Sequence, residues 1–547
     1  MALQGKMMHR PLLISDILTF AAEVHGDAEL VSATVEGGIH RASYRETEVR
    51  ARQMAKALLA LGIEEGDRVA TLAWNGYRHF ELYYAISGIG AVCHTINPRL
   101  SAEQMVYVTT HAEDRVLFLD LTFVPLVEKL LAQFPKDMKY VIMTDKAHMP
   151  ETSIPNVLCY EELLGAQTPQ YQWPDLDENA ASGLCYTSGT TGNPKGVLYT
   201  HRSSVLHALM AGITFPDCLR PGVKILPVVP LFHVNAWGLP FHAPMAGVSI
   251  VFPGPHLDGA SLFDLMEQEN VYSSWGVPTV WLGLLGEISK RARKPEGFGE
   301  VIIGGAAASR SMVGSFEKLG VNVCHAWGMT EMSPIGTQGQ LFGSERKLPE
   351  NERLDLKAKQ GRRMFGVELK IIDENGEELP KDGKAAGELF VRGNAVAAGY
   401  FNNEEASSAA LDADGWFGTG DVATICERGF LTITDRAKDL IKSGGEWISS
   451  IDVENMAMAH PDIANCAVIA VPHAKWDERP LLVVVPKEGK TIHKQSVLDL
   501  LKEHLASWQI PDDVVLVDQL PMTATGKVSK LTLRKNYADH KLENAQA

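Results

Sequence analysis

The segment Tyr186-Thr-Ser-Gly-Thr-Thr-Gly-Asn-Pro-Lys195-Gly196 combines glycines, hydroxyl side chains and one lysine. Glycine adopts positive φ easily, so backbone N–H groups in such a segment can turn toward a ligand. Consecutive free amides form an anion-binding concavity, and a nearby lysine adds a charge suited to phosphate. The sequence therefore predicts a polyphosphate-binding loop around which the rest of the chain is arranged.

The spacing differs from that of the common P-loop, which needs Gly-x-x-x-x-Gly-Lys followed by Ser or Thr. Here Gly196 follows the lysine and Pro194 precedes it. A polar surface loop is the alternative interpretation, because the same residue types also form ordinary loops. The segments downstream decide between the two.

Strand-like apolar runs alternate with helical patterns from residue 44 onward, beginning with a helix that we expect to stop at Gly62. This alternation indicates parallel sheets covered on both faces by helices. A helix is predicted near Ala236–Met245. After about residue 365 short period-two runs indicate a small antiparallel unit, and a compact α+β segment follows Asp439.

We therefore predict an α/β protein with two domains. Residues 1–437 form a large N-terminal domain of doubly covered, mainly parallel sheets, with a β subdomain at about 365–437. Residues 438–547 form a small, mobile α+β C-terminal domain.

Composition excludes several classes of protein. The chain has 547 residues and a net charge of −16 without a basic stripe, which argues against a nucleic-acid surface. Its seven cysteines lie far apart with no Cys-x-x-Cys pair, which fits a reducing compartment and argues against a disulfide frame or a zinc site. No long apolar run is present, so we expect a cytoplasmic protein without integral membrane association.

Residues 326–331 and 418–421 carry groups suited to nucleotide chemistry. Trp327 beside a glycine offers a face for stacking on a purine, Thr330 offers a hydroxyl to phosphate, and Glu331 offers hard oxygen ligands to Mg²⁺. Asp421 follows a tight Gly-Thr-Gly turn, and a carboxylate there can hold ribose hydroxyls. A helix start and an Asx turn are the structural alternatives for these two segments.

Further candidates follow the same order along the chain. His233 ends a predicted strand, and the apolar run Val301–Ala307 passes into a glycine turn. Ligand sites in parallel sheets favour the carboxyl ends of strands, so this turn is a candidate site wall. Lys442–Trp447 and Thr525–Lys527 are two later loops that contain glycine and lysine. A lone histidine or a terminal lysine is by itself more often structural or solvated.

In this order and at these separations, the segments resemble the motif series of the adenylate-forming superfamily over nearly the whole chain. That superfamily includes acyl-CoA synthetases, luciferases and peptide-synthetase adenylation domains. The segments Gly444–Ser450 and Trp476–Pro480 are similar to those of bacterial medium- and long-chain fatty acyl-CoA synthetases. The chain also resembles the 3-methylmercaptopropionate-CoA ligases of marine bacteria that degrade dimethylsulfoniopropionate.

The resemblance implies a reaction in two steps. A carboxylate attacks the α-phosphate of ATP to give an acyl-adenylate and pyrophosphate, and the CoA thiol then displaces AMP. It implies Mg²⁺ as cofactor, ATP and CoA as co-substrates, and a homodimer. The preferred acid is 3-(methylthio)propanoate, and a medium- or long-chain fatty acid is the alternative.

The resemblance also implies site residues, matched position by position. The catalytic residues are Lys527, His233, Thr330 and Glu331, and the metal ligands are Thr187 and Glu331. The ATP contacts are Thr187, Ser188, Gly189, Thr190, Thr191, Gly192, Lys195, Gly305, His325, Ala326, Trp327, Thr330, Asp421, Arg436, Lys438 and Lys442. The acyl pocket is walled by His233, Trp237, Gly304, Gly305, Ala306, Pro334 and Trp447. The CoA contacts are Gly444, Gly445 and Glu446, and Lys438 is the hinge.

Two positions depart from the wider superfamily. Trp327 replaces a tyrosine, and Trp447 replaces an asparagine and matches a tryptophan that gates the acyl tunnel in long-chain relatives. Two rival functions remain open: an adenylation domain that loads a carrier protein, and a non-catalytic binding protein that kept the fold. Retention of every charged motif residue favours catalysis.

Overall fold

The computed structural model describes residues 3–187, 193–443, 446–473, 475–523, 527–540 and 542. Its strands are β1 (Glu29–Ala33), β2 (Ile39–Ser43), β3 (Arg68–Leu72), β4 (Val92–Thr95), β5 (Val116–Leu119), β6 (Lys139–Ile142), β7 (Leu158–Cys159), β8 (Ala181–Tyr186), β9 (Gly196–Thr200), β10 (Lys224–Pro227), β11 (Ser249–Phe252), β12 (Ser273–Gly276), β13 (Glu300–Ile303), β14 (Asn322–Gly328), β15 (Ile335–Gln338), β16 (Arg362–Arg363), β17 (Val367–Ile372), β18 (Gly387–Gly393), β19 (Phe417–Ile425), β20 (Leu431–Arg436), β21 (Ile441–Ser443), β22 (Glu446–Ile448), β23 (Ile463–His473), β24 (Asp477–Pro486) and β25 (Asp513–Leu516).

The helices lie between these strands. They are α1 (Ile14–Val24), α2 (Tyr44–Ala60), α3 (Tyr77–Gly88), α4 (Ala102–Ala112), α5 (Val124–Leu130), α6 (Tyr160–Gly165), α7 (His201–Thr214), α8 (Val234–Trp237), α9 (Leu239–Met245), α10 (Gly259–Glu269), α11 (Pro278–Arg291), α12 (Arg310–Lys318), α13 (Glu350–Ala358), α14 (Glu404–Ala410), α15 (Ser450–Ala457), α16 (Lys494–Lys502) and α17 (Lys530–Asn536).

Two large sheets carry the N-terminal part of the chain. The seven-stranded sheet has the order β7-β6-β5-β3-β4-β8-β9 and is parallel except for the β8–β9 pair. The nine-stranded sheet has the order β16-β15-β14-β13-β12-β10-β11-β1-β2 and is parallel from β14 to β1. Both sheets therefore confirm the prediction of mainly parallel α/β architecture.

Alternate residues along the central strands enter different hydrophobic cores, as expected of strands buried on both faces. Val69 and Ile250 belong to the large core between the two sheets. The neighbouring Ala70 packs into a second core and Val251 into a third. Both sheets are thus covered on both faces, as predicted.

The two smaller sheets are mainly antiparallel. Strands β17 to β20 form a four-stranded antiparallel sheet, which confirms the β unit predicted after residue 365. The C-terminal sheet has the order β22-β21-β24-β23, and β25 pairs in parallel with β24. It packs with α15, α16 and α17 around its own core, which confirms a separate, small α+β unit.

The prediction of a helix near Ala236–Met245 is wrong in its first turn. Val234, Asn235, Ala236 and Trp237 all have positive φ, from 47° to 58°, so α8 is a left-handed turn rather than the start of a right-handed helix. The right-handed helix α9 begins at Leu239. A run of side-chain-bearing residues in this region is strained, and such strain collects at functional sites.

Candidate active site

A cavity of about 550 Å³ lies at the carboxyl ends of the central strands of the nine-stranded sheet. Its wall includes Gly304 and Gly305 directly after β13, and the last residues of β14. The C-terminal unit closes the opposite side with α15 and with the segment from Lys527 to Arg534. Parallel sheets place ligand sites at this edge.

The cavity brings together most of the residues expected at the site. Those that line it are Thr187, His233, Trp237, Gly304, Gly305, Ala306, Ala326, Trp327, Thr330, Glu331, Pro334, Arg436, Lys438 and Lys527. Residues from six separate stretches of sequence therefore face one space.

Lys527 reaches the cavity from the C-terminal unit. A Cβ built on Gly305 would lie 3.6 Å from its Cε, and Gly305 itself has a φ of 77°, which disfavours a side chain. Burial, and then the positive charge of Arg436, lower the pKa of Lys527 to about 8. A partly desolvated cation thus stands in the wall, where it would gain most from a bound anion.

His233 is an uncharged neighbour of that lysine. Burial, reinforced by the charge of Lys527, lowers the pKa of His233 to about 3, so its imidazole is neutral near pH 7. It is the last residue before the left-handed turn α8, which presents Trp237 to the cavity. The histidine can donate or accept a hydrogen bond at the cavity without adding charge.

Glu331 is buried beside the start of the glycine-rich segment. Its Oε1 accepts a hydrogen bond from the Tyr400 hydroxyl at 2.7 Å. Burial raises the pKa of this carboxyl, whereas the Tyr400 bond and the charge of Lys195 oppose the rise. Lys195 Nζ lies 4.8 Å from the centre of the Tyr400 ring. Tyr400 therefore joins the acid to the lysine of the phosphate-binding motif.

Trp327 is fixed at its polar edge. Its Nε1 donates to Asp421 Oδ2 at 2.9 Å, and Arg436 Nε lies 3.5 Å from Asp421 Oδ1. Burial raises the pKa of Asp421, and Arg436 and then Trp327 oppose that rise. The indole face of Trp327 remains part of the cavity wall, as a stacking surface requires.

A narrow, mainly apolar end of the cavity lies beside Trp237. A Cβ on Gly304 would lie 3.0 Å from Trp237 Cη2 and 3.1 Å from the Ala326 carbonyl oxygen. Glycine is therefore required there for the indole to pack against the backbone. Val277 and Ile335 complete this end.

Among the described residues expected at the site, Lys195 and Asp421 do not line the cavity but contact the wall residues Tyr400 and Trp327, and three others lie elsewhere. The His325 side chain is turned into the scaffold, where its Nε2 accepts from the Ala308 N–H at 3.4 Å and its Nδ1 donates to the Ala358 carbonyl at 2.9 Å. Trp447 is 48% exposed and is absent from the cavity wall, and the Lys442 ammonium lies 5.6 Å from its ring centre. The roles of His325 and Lys442 in ATP binding and of Trp447 in the acyl pocket therefore remain predictions, which these positions outside the cavity wall do not support directly.

The remaining expectations concern residues that the structure describes only in part. Ser188, Gly189, Thr190, Thr191, Gly192, Gly444 and Gly445 lie outside the described residues, as does the side chain of Glu446. Thr187 and Lys195, which bracket the first group, are joined by the Thr187 N–H and the Lys195 carbonyl oxygen at 2.8 Å. The two ends of the phosphate-binding segment thus meet as a hairpin between β8 and β9.

The donor set was tested for its fit to Mg²⁺. Within the described ranges no group of three or more His, Cys, Asp or Glu residues is placed to hold a metal. Glu331 and Thr187 offer one carboxylate and one hydroxyl on the same cavity. Mg²⁺ typically takes one or two protein oxygens and completes its shell with phosphate and water, so this sparse set fits it.

Sequence reasoning missed Tyr400 and the segment before it. The Ala397 N–H donates to the Glu331 carbonyl at 2.7 Å, and the Phe401 N–H donates to the Gly196 carbonyl at 2.8 Å. This segment therefore ties the acid-bearing turn to β9. In the sequence this segment is marked only by a tyrosine and a phenylalanine after Gly399. Aromatic residues are as common in hydrophobic cores as in binding sites, so they did not identify it.

Comparison with known proteins places this geometry in a family. Residues 18–401 match the AMP-binding enzyme family, and residues 452–527 match the AMP-binding enzyme C-terminal domain. A 3-methylmercaptopropionyl-CoA ligase of Ruegeria lacuscaerulensis is 49% identical over 98% of this chain and 99% of the relative. A medium-chain-fatty-acid–CoA ligase of Ectopseudomonas oleovorans is 47% identical over 99% of each chain.

A solved structure agrees in shape. The crystal structure of ATP-bound MatB from Rhodopseudomonas palustris has a TM-score of 0.81 and 26% identity, and it covers 96% of this chain and 99% of that one. The chain therefore belongs to the AMP-binding enzyme family. The expectation of an AMP-forming acid–CoA ligase is confirmed at the level of class, and both acids weighed from the sequence occur among the named relatives.

Proposed function

We propose that the protein joins 3-(methylthio)propanoate to CoA through an acyl-adenylate, with medium- or long-chain fatty acids as the alternative substrates. The observation that carries this proposal is the position of Lys527 in the same cavity wall as Trp327 and Glu331. One space thus contains a cation, a stacking face and a hard oxygen ligand, which together suit a nucleotide and a carboxylate.

In the first step the acid oxygen attacks the α-phosphate of ATP, and both reactants are negatively charged. Lys527 supplies positive charge between them, and the burial that lowers the pKa of its ammonium also strengthens its attraction to a bound anion. Thr330 donates its hydroxyl toward the α-phosphate. Trp327 and Ala326 hold adenine, and Asp421 holds the ribose with help from Arg436.

In this proposal the segment from Thr187 through Lys195 binds the β- and γ-phosphates. Mg²⁺ held by Glu331 and Thr187 would neutralise phosphate charge when bound. The hydrogen bond from Tyr400 orients Glu331 and opposes the rise that burial causes in its pKa.

In the second step the CoA thiol attacks the acyl carbon and AMP leaves. We assign the boundary between the domains to residues 437 and 438, and the hinge to Lys438. Rotation there withdraws Lys527 and brings Gly444, Gly445 and Glu446 to the pantetheine arm. Trp447 and Lys442, which lie outside the cavity in the present arrangement, would move with that loop.

The acyl group occupies the end beside Trp237, Gly304 and Pro334, with neutral His233 at its polar entrance. Methylthiopropanoate is isosteric with a short fatty acid, because its sulfur replaces a methylene. A hydrophobic pocket discriminates by only about 1–3 kcal/mol per methylene. The preference for the short acid rests on the similarity to 3-methylmercaptopropionyl-CoA ligases.

The test is AMP release with CoA and Mg²⁺ across a panel of acids, from propanoate, butanoate and 3-(methylthio)propanoate to octanoate and palmitate. We expect the highest kcat/KM with 3-(methylthio)propanoate. A maximum at octanoate or longer selects the fatty-acid alternative. The variant Gly304→Leu is expected to lose activity with every acid, including the short ones, because the new side chain contacts Trp237.

Two further experiments distinguish this enzyme from a carrier-loading adenylation domain and from a non-catalytic binding protein. A holo-carrier protein in place of CoA should give no acyl transfer. ATP–pyrophosphate exchange that depends on the acid distinguishes an enzyme from a binding protein of the same fold. We also propose a homodimer formed through the large domain, which sedimentation at micromolar concentration would detect.

A further inference from the structure

We propose that this protein has a second ligand site, which binds a small phosphate monoester at the opposite edge of the nine-stranded sheet from the catalytic cavity. A cavity of about 280 Å³ lies there, close to the lower end of the usual range for small-molecule pockets. Its wall is formed by Asp217, Tyr272, Asn322, Gln340, Leu341, Arg346, Arg353 and Lys357. The proposal does not depend on which acid the enzyme activates.

The place in the fold is distinct from the catalytic cavity. Asn322 is the first residue of β14 and Tyr272 directly precedes β12, so both lie at the amino ends of parallel strands. Trp327 and Gly328, at the other end of β14, line the catalytic cavity. At about 3.3 Å per residue, the six steps from Asn322 to Gly328 separate the two sites by roughly 20 Å.

The charge of this second cavity favours an anion. Arg346, Arg353 and Lys357 contribute three cations to its wall, and Asp217 contributes the one acid. The ion pair between Arg346 and Asp217 is long, at 3.9 Å, and both side chains are about half exposed. Lys357 is anchored by Glu317 Oε1 at 2.6 Å and by Asn322 Oδ1 at 2.7 Å.

The two arginines are oriented mainly by backbone carbonyls, since Arg346 has only the long contact with Asp217 and Arg353 has no carboxylate partner among the described residues. Arg346 Nε donates to the Leu341 carbonyl at 2.8 Å, and Arg353 Nη1 donates to the Leu348 carbonyl at 2.9 Å. Backbone carbonyls fix a guanidinium in place but leave its charge available. Planar guanidinium groups recognise phosphate oxygens through paired hydrogen bonds.

The buried side chain of Gln340 is a second, independent observation in favour of a ligand at this cavity. It is 3% exposed, and neither its side-chain oxygen nor its side-chain nitrogen has a hydrogen-bond partner among the described residues. A buried amide left unpaired costs about 1–3 kcal/mol, so proteins seldom keep one without a use. Its donor and acceptor stand side by side, which matches the edge of a nucleobase such as adenine.

These features together define the ligand class. The arginines suit a phosphate, Gln340 suits a group with adjacent donor and acceptor, and the Tyr272 ring offers a flat wall. A nucleoside monophosphate combines all three. AMP is therefore the probe of choice, with ribose 5-phosphate and adenosine as its two halves.

The experiment is calorimetric titration of the full-length protein with each probe at constant ionic strength. AMP should also bind the catalytic cavity, so wild-type protein should take up two equivalents. Gln340→Met and Arg353→Gln should each weaken the second equivalent at least tenfold and leave the first unchanged. Arg392→Gln, which removes an equal charge from an exposed pair with Glu368, should keep both.

The half-ligands and the stability of the variants complete the test. The affinity of the second site for ribose 5-phosphate should fall in Arg353→Gln and should stay unchanged in Gln340→Met. Gln340→Met removes the two unpaired atoms at similar volume, so its melting temperature should equal or exceed that of the wild type. A single AMP equivalent in every protein, or identical second-site affinity in all four, would overturn the proposal.

Discussion

Two groups of charged side chains in this molecule are paired in different ways. The first, here called the paired network, lies on α2, α3 and α6 and contains Arg50, Arg78, Glu81 and Glu161. Arg50 contacts Glu81 at 2.6 Å and Glu161 at 3.0 Å, and Arg78 contacts Glu161 at 2.8 Å. Every charge in it has a close partner of opposite sign.

The second group, here called the cavity charges, comprises Lys527, Arg436, Asp421 and Glu331. Its closest pair, Arg436 with Asp421, is 3.5 Å apart. Within the described part of the chain, no carboxylate forms an ion pair with Lys527. The charges of the paired network neutralise one another, whereas Lys527 among the cavity charges has no close carboxylate partner in the described residues and can pair with a bound anion. This difference separates a structural cluster from a functional one in the same protein.

Removing a partner from the paired network should have the largest effect. Glu81→Ala removes the closer of the two acids that pair with Arg50, so that Glu161 alone remains, and it removes the acceptor of the Tyr160 hydroxyl at 2.7 Å. We expect a loss of about 3–5 kcal/mol in the free energy of unfolding, measured by urea denaturation. Glu368→Ala, in an exposed pair with Arg392, serves as the control and should cost less than about 1 kcal/mol. Equal losses in the two variants would contradict the contrast.

Removing a cavity charge should affect catalysis instead. Lys527→Ala is expected to slow acyl-adenylate formation by about 10²–10³-fold, because one preorganised donor to developing charge is lost. Thioester formation from a premade acyl-adenylate should stay near the wild-type rate. Lys535→Ala, on the exposed side of α17, is the matched control. Equal loss of both half-reactions would contradict the division of labour between Lys527 and the Gly444–Glu446 loop.

The parallel sheets were predictable from sequence because their strands are continuous apolar runs, such as Val116–Leu119. The left-handed turn at residues 234–237 was not. Asn235 alone among its members tolerates positive φ, and local preference gives no reason for Val234 or Trp237 to adopt it. Tertiary packing of Trp237 against Gly304 overrides that preference.

The candidate site shows the same limit. Trp327, Glu331 and Lys527 were found because glycines and hydroxyls surround them in sequence, and the structure places all three on one cavity. Tyr400 and Gln340 were missed, because an aromatic or an amide carries no local signal of its partners. The surroundings of His325 could not be read from sequence either, because only the fold shows that both of its ring nitrogens bind backbone groups.

The pKa of Lys527 predicts how the adenylation rate depends on pH. Burial lowers this pKa to about 8, so the lysine loses its charge as pH rises through 8. We expect kcat/KM for adenylation to fall above that pH, and Lys527→Arg to hold its lower activity to higher pH, because arginine stays charged. Initial rates of pyrophosphate release between pH 6 and 10 would measure both. A flat wild-type profile would count against the lysine.

The same pKa fixes the sign of a stability effect. Below pH 8 the lysine is charged in both the folded and the unfolded chain, and the folded chain bears the desolvation cost. Between pH 8 and the ordinary value of 10.5 the unfolded chain binds more protons, so this residue's contribution to stability rises with pH. Lys527→Met should therefore raise the melting temperature at pH 7, opposite in sign to Glu81→Ala.

The smallest expected effect concerns the hydrogen bond from Tyr400 to Glu331. Through this bond Glu331, like the acids of the paired network, has a close partner within the protein. Tyr400→Phe removes the donor to Glu331 Oε1 and leaves the ring beside Lys195. The pKa of Glu331, already raised by burial, should rise further, so the carboxylate binds a cation less well at a given pH. The Mg²⁺ concentration for half-maximal pyrophosphate exchange should increase a few-fold, most at low pH, whereas Tyr537→Phe, on α17's far end, should leave it unchanged. An unaltered Mg²⁺ requirement in Tyr400→Phe would mean that Glu331 is held by its buried surroundings alone, as the acids of the paired network are held by their arginines.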